Sequence, residues 1–416
     1  MSSYQIAIIG GGPAGMMAAI RAAELTSGVV IFEKNASLGR KLSLTGKGRC
    51  NISNDSSVDD FMAAFGKGGL FLRSAFKQFF VSELTDFFRQ RGLKFKTERQ
   101  GRIFPETDSS RSVIEILMKS LEKQSVTVCL SSPVRNLIVS EGEVKGFRLT
   151  DSREIYAEKV IFATGGCSYP ETGSTGDGFK IVSSLAHKIE EPMPGLVPLE
   201  TIEGFVKDLQ GLTLKNIQIT FEAAGKAIQT PVGELLFTHF GISGPLVLDI
   251  SSKIGLLLKK NKVKGWLDLK PGLTESQLDL KFQTEFQKAG ILKLKNYLAE
   301  ILPKRLIAVF LKCAGLDSEK KCHQVTSSER KKMVGLLKEF PLTIKGSRPL
   351  SEAMVTCGGV SLKEVDPQTM ESKKVKGLYF CGEILDLAAA SGGYNLQAAF
   401  STGYLAGQSA ALSLNK

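Results

Sequence analysis

Apolar and polar positions along the chain fall into stretches of different period. At the start, "YQIAIIGGGPAGMMAAIRAAELTSGVVIFEKN" (4–35) opens with an unbroken apolar run, passes three glycines, continues at helical spacing and closes on a second apolar run. Unbroken runs of this length read as strands buried on both faces, so the segment predicts strand, glycine turn, helix, strand. Two more such runs, in "EKVIFATGGCSYP" (158–170) and "VKGLYFCGEILD" (375–386), predict strands ending in small residues. "SGGYNLQAAFSTGYLAGQSAA" (391–411) predicts a glycine turn opening a terminal helix. Between these lies a change of period: 212–251 alternates like antiparallel strands, whereas 274–340 has helical spacing.

The expected architecture is therefore α/β, with a discontinuous Rossmann-like domain (1–190 and 346–416) interrupted by an inserted domain (191–345). The insert is expected to be β-barrel-like over 191–271 and mainly helical over 272–345. In the first domain Gly10, Gly12 and Gly15 hold the G-x-G-x-x-G positions, with Pro13 and Ala14 opening the helix. Gly10 permits the tight turn, Gly12 lets backbone approach a pyrophosphate, Gly15 allows helix-to-strand packing, and the helix N-terminus offers N–H groups to the anion. Glu33 ends the next strand where a carboxylate accepts hydrogen bonds from an adenosine ribose. These positions predict a dinucleotide site. Thr164, Gly165 and Gly166 end the second long run, and Gly382 and Glu383 end the third with Asp386 close behind, leaving room for a long cofactor. The positive end of the terminal helix, behind Gly392 and Gly393, suits an electron-rich flavin edge better than a nicotinamide.

Composition changes this picture in one respect. With 43% hydrophobic and 23% charged residues in 416, the chain is ordinary for a folded protein and long enough for two domains. Seven cysteines without a C-x-x-C pair fit reduced thiols, and no structural metal is expected. The start lacks a cleavable apolar leader and no run reaches membrane-span length, so a cytoplasmic protein that does not enter membranes is expected. The charge is less ordinary. Of a net +12, residues 191–350 contribute 24 basic against 16 acidic groups, and "KIGLLLKKNKVK" (253–264) carries five lysines and no acid. That run is either a footprint for phosphate backbones or a solvated lysine face.

Taken together, "GGGPAG", "LGRKLSLTGKGRCNISN", "GRIFPETDSS", "ATGGCSYPETGSTGDG", "GELLFTHFGISGP", "GGVSLKEVDPQTMESKKVKGLYFCGEILD" and "GGYNLQAAFSTGYLAG" resemble the BaiN/RdsA family of NAD(P)/FAD-dependent oxidoreductases. These are FAD flavoproteins of the glutathione-reductase-type two-dinucleotide fold. The likeness runs over nearly the whole chain, with two departures: Lys47 stands where the family turn has the middle glycine of G-G-G-R-C-N, and "DLAAAS" precedes the terminal glycine pair where relatives tend to carry "DVDG" and a threonine. The resemblance implies FAD held by the residues above together with Lys34, Arg40, Lys41, Arg49, Cys50, Asn51, Val134, Gly393, Asn395, Leu396 and Gln397. It places Cys50 and Asn51 beside the flavin ring. Cys50 is then either a proton donor tuned by Arg49 or Lys47, or a buried packing residue. His239, on the likely loop of "FTHFGISG", is an acid, a base, a substrate hydrogen bonder or a structural residue. No second G-x-G-x-x-G follows a strand in the insert, so NAD(P)H is expected to dock transiently. The expected reaction is hydride delivery to an activated C=C bond. Uridine in ribosomal RNA, bound through the basic insert, is the leading substrate; a small-molecule enone, amine oxidation, and a non-catalytic RNA-binding or assembly role are the alternatives. The oligomeric state is open.

Overall fold

The computed structural model describes residues 3–415. The chain divides into two compact units, the first formed by residues up to Gly195 and from Leu350 onward, the second by Leu196–Pro349.

The first unit is built on β1 (Ser3–Ile9), α1 (Pro13–Ala23) and β2 (Val29–Phe32). Ile6 to Ile9 and Val29 to Phe32 are all buried, which is why these strands read as unbroken apolar runs. β1 pairs in parallel with β2 on one side and with strand Glu154–Phe162 on the other. Thr127–Cys129 extends the sheet beyond β2, and Leu378–Phe380 joins the end of Glu154–Phe162, both in parallel. The start of Glu154–Phe162 instead carries the antiparallel strands Glu143–Leu149 and Val134–Ser140. Register aligns the carboxyl ends: Ile9 faces Phe32 and Phe162, and Phe162 faces Phe380. Gly10, Glu33, Ala163 and Cys381 therefore follow from one edge, where open α/β sheets bind ligands.

α1 packs on the terminal helix Tyr394–Leu412 almost backbone to backbone. A Cβ at Gly403 would stand 2.3 Å from the Ala14 carbonyl oxygen, and one at Gly407 2.2 Å from that of Ala18. Only glycine allows this approach.

In the second unit every strand pairing is antiparallel. Thr213–Ala223, Gly233–Phe237, Gly241–Ser243, Leu199–Thr201, Phe340–Ser347 and Val263–Asp268 follow one another, and the last pairs back onto the first. These six strands thus close on one another, and Lys226–Gln229, paired only with Thr213–Ala223, is left as the edge strand. Phe221, Phe237 and Phe340 lie in its apolar core. Helices Glu275–Ala289 and Ser327–Lys338 each begin with a capping box, Thr274 with Gln277 and Thr326 with Glu329. One expectation is corrected here. "PLVLDIS", read as part of an alternating strand region, opens the helix Pro245–Leu258. Gly244 at φ +92° breaks the strand, Pro245 occupies the first turn, and the buried Leu246, Val247, Ile250, Ser251 and Ile254 recur at helical spacing.

Among the described residues no helix is long and apolar enough to cross a membrane.

Candidate functional site

The carboxyl edge of the first unit's sheet opens onto a cleft of about 1540 Å³, its open mouth included. Its lining takes in the glycine turn, Glu33 and the start of the terminal helix, the groups that hold a dinucleotide in folds of this kind. At its floor the glycine turn leads into α1, whose first-turn N–H groups have no intrahelical partner. The turn's glycines have different duties. A Cβ at Gly15 would stand 2.0 Å from the Gly10 carbonyl oxygen, whereas one at Gly12 would meet nothing within 4 Å. Gly15 is a packing position; Gly12 is the open face.

Glu33 is 8% exposed and already engaged: its Oε2 accepts from the Gly11 N–H at 2.7 Å, and its Oε1 from the Asn35 backbone N–H at 2.8 Å and side-chain amide at 2.6 Å. Each carboxylate oxygen has two lone pairs, so Oε2 keeps room for one hydroxyl donor of a ligand. Thr164 Oγ1 is buried on the cleft wall and has no partner among the described residues, and a Cβ at Gly178 would overlap it at 2.0 Å. An open helix N-terminus, a fixed carboxylate and an orphaned wall hydroxyl are the donor and acceptor set an FAD needs, so the residues present fit that group.

Of the residues expected to hold the cofactor, Gly10, Gly12, Pro13, Ala14 and Glu33 line the floor. Lys34, Arg40, Lys41, Val134, Thr164 and Gly165 line the walls, as do Gly382, Glu383, Asn395 and Leu396. The cations are not idle. Lys34 bonds Asp177 at 2.7 Å, Arg40 donates to Asn35 Oδ1 at 2.9 Å, and Lys41 pairs with Glu383 at 2.8 Å. Asn395 braces the preceding loop by accepting from Ala389 N–H at 2.9 Å and donating to its carbonyl at 3.0 Å.

The remaining expected residues lie off the cleft wall. Arg49 is held by Glu98 and Asp108, at 2.5 and 2.6 Å, with its guanidinium over the Phe104 ring at 4.1 Å. These carboxylates hold its charge, so it is a brace for the turn. Cys50 is fully buried, and burial pushes its thiol up to about 12, against the smaller opposing effect of its Thr45 hydrogen bond. Desolvation leads here, and neither Arg49 nor Lys47 contributes to the shift. Asn51 carries a buried, unpartnered Oδ1. Gly166 backs onto Thr356, whose Oγ1 would stand 2.4 Å from an added Cβ, and Gly393 backs onto the Ser53 carbonyl at 2.2 Å. Gln397 is buried, accepting from Ser53 Oγ at 2.6 Å and donating to Ser401 Oγ at 3.0 Å. Burial, then the charge of Glu190, raises the Asp386 carboxyl above the usual range. His239 belongs to the second unit, exposed on the turn after Phe237, its ring edge-on to Phe240 at 4.9 Å.

Asn35, Ser168 and Thr356 complete the polar lining or its support and were not foreseen. Asn35 had a local signal, standing two residues after Glu33, where an amide folds back on a carboxylate. Ser168 and Thr356 meet across 188 residues of sequence and had none.

In shape the chain is similar to the flavocytochrome c3 fumarate reductase, with TM-score 0.52 at 14% identity over 99% of this chain and 78% of that one. It is likewise similar to the 3-ketosteroid-delta4-(5alpha)-dehydrogenase of Rhodococcus jostii, with TM-score 0.52 at 16% identity over 99% and 97%. The fold and its cleft define an α/β Rossmann FAD-binding fold like that of these flavoproteins, to which an antiparallel sheet domain is added. Within that class the HI0933-like protein Rossmann domain family matches residues 4–409. The chain belongs to this family. It is 33% identical to the 3-dehydro-bile acid delta(4,6)-reductase of Clostridium scindens, over 98% of this chain and 99% of that protein. It is 31% identical to the ribosomal RNA dihydrouridine synthase of Escherichia coli, over 98% of each.

Proposed function

We propose that the protein is an FAD-dependent, NAD(P)H-driven reductase of a C=C bond conjugated to a carbonyl, and that its substrate is uridine in ribosomal RNA, converted to dihydrouridine. The relatives' names support the reaction class: both describe reduction of an unsaturated ring. One observation carries the choice of RNA. Lys253, Lys260, Lys262 and Lys264 are exposed and form no ion pair among the described residues. Some other lysines of the second unit are neutralised, as Lys293 and Lys295 are by Glu319, Lys320 by Glu329 and Lys338 by Asp268, while Lys215, Lys288, Lys331 and Lys332 are exposed without an ion pair among the described residues. The second unit thus carries uncompensated positive charge in several places, and Lys260, Lys262 and Lys264 pack three such charges into five residues, a density that phosphate backbones reward.

FAD, when bound, supplies the hydride chemistry. The chain's own residues supply the rest. The α1 N-terminus and Gly12 would hold the pyrophosphate, and Glu33 the adenosine ribose. Cys50 keeps its proton through neutral pH but is sealed from solvent, which supports a packing role. His239, exposed, is the better candidate for a proton-delivering or substrate-bonding group. The target base has to leave its stack to be reduced.

The test is anaerobic stopped-flow absorbance of the flavin-loaded protein, reduced with NADPH or NADH and mixed with ribosomal RNA lacking dihydrouridine. Reoxidation matched by new dihydrouridine is the expected result. A reduced flavin indifferent to RNA but reoxidised by a 3-keto bile-acid enone would move the reading to small-molecule chemistry, and RNA binding without turnover would end the enzymatic reading.

A further inference from the structure

Four polar side chains at the carboxyl edge of the sheet form a closed hydrogen-bonded circuit. The Lys41 ammonium donates to Ser168 Oγ at 2.6 Å, to Glu383 Oε2 at 2.8 Å and to Glu383 Oε1 at 3.1 Å. Ser168 Oγ donates to Glu383 Oε1 at 3.2 Å. Thr356 completes the circuit: its N–H donates to the same Oε1 at 2.9 Å, and its Oγ1 accepts from the Cys167 and Ser168 backbone N–H groups at 2.8 and 3.1 Å. Its hydroxyl lies 3.3 Å from Ser168 Oγ. The direction of every bond follows from chemistry. An ammonium only donates and a carboxylate only accepts, so Ser168 gives its proton to Glu383 and receives those of Thr356 and Lys41.

Thr356 and Ser168 are completely buried, whereas Lys41 and Glu383 reach the cleft with side chains 22% exposed. A lysine on its four-carbon stem loses much rotamer freedom when its charge is fixed. Here the fixing is done in advance, from behind the cleft wall. The 3.1 Å bond to Oε1 is the longest of the three, and Ser168 and Thr356 already satisfy that oxygen. It is the bond an incoming anionic oxygen displaces.

We propose that Thr356 is a positioning residue for cofactor binding: through Ser168 and Glu383 it holds the Lys41 ammonium where it meets the anionic pyrophosphate of the dinucleotide. This rests on the cleft being the FAD site. A preset charge binds without ordering cost, so disturbing Thr356 weakens binding only while Lys41 is there to be positioned.

The experiment is a double-mutant cycle on the full chain, read as FAD affinity by titrating apoprotein and following flavin fluorescence at two salt concentrations. Thr356→Val removes the hydroxyl but keeps the shape and backbone N–H. With Lys41 present it is expected to weaken FAD about tenfold and to reduce the salt dependence; in Lys41→Met it is expected to cost less than about twofold. Thr356→Ser restores affinity to within about threefold. Ser168→Ala, in the same two backgrounds, reads the same relay if Thr356→Val fails to fold. Equal losses in both backgrounds, or no loss with Lys41 present, would overturn the positioning role while leaving the FAD site standing. Failure of the unaltered protein to bind FAD would overturn the site reading and the proposal with it.

Discussion

Lys47 shows why a turn favours glycine. Gly46, Lys47 and Gly48 run consecutively at φ +58°, +58° and +84°, in the left-handed region. A side chain there costs about 1–2 kcal/mol, partly offset by the greater unfolded-state freedom of glycine, so Lys47→Gly should stabilise the protein by about 0.5–1 kcal/mol in denaturant unfolding. Three residues on, Cys50 gives a pH signature. Its thiol titrates at about 12 rather than 9.0 because it is buried. Above pH 9 the unfolded chain loses that proton while the folded one keeps it, so the Cys50 contribution is whole below pH 9 and falls as pH rises toward 12. Stability relative to Cys50→Ala should decline over that window by about 1.4 kcal/mol per pH unit, measured as the difference in unfolding free energy between the two proteins. A pH-independent difference would mean that the thiol is not desolvated. Residue types made such sites visible in the sequence, but not their surroundings: nothing near Arg49 in the chain announces Glu98 or Asp108.

The elements that hold the site were legible where a local rule governs them. β1, α1 and β2 announce themselves through unbroken apolar runs and glycine spacing, and the terminal helix through Gly392 and Gly393. Pro245–Leu258 was misread because its apolar residues follow an alternating stretch without a polar break, and only Gly244-Pro245 marks the change. The circuit through Thr356 was illegible, since hydrogen bonds between distant strand ends leave no period. The glycine turn itself yields a paired test. Gly12→Ala meets open space in an ordinary backbone conformation, φ −79°, so apoprotein stability should stay within about 0.5 kcal/mol while FAD affinity falls at least about tenfold. Gly15→Ala drives a methyl into the Gly10 carbonyl and should cost at least about 3 kcal/mol of stability, read as a lower denaturation midpoint. Equal behaviour of the two variants would refute the division between an open and a packing glycine.

At the scale of the molecule, charge and connectivity separate. If the strip at Lys260, Lys262 and Lys264 meets phosphates, the triple alanine variant should bind ribosomal RNA more weakly, with a salt slope shallower by roughly 2. Filter binding at several salt concentrations checks this, and an unchanged slope would return the strip to a solvated face. The connectivity lies in a small antiparallel pair, Ile189–Gly195 with Val355–Val360, in which Gly195 faces Val355. The chain departs from the first unit at one of these residues and has come back by the other. The ends of the inserted segment are therefore neighbours on a ladder, and a two-residue hairpin joining Gly195 to Val355 would close the gap without repacking the sheet. Such a shortened protein should still fold and bind FAD. By the same connection the insert hangs from a single ladder, so its removal would ask of the cleft-bearing unit only that one rung be bridged.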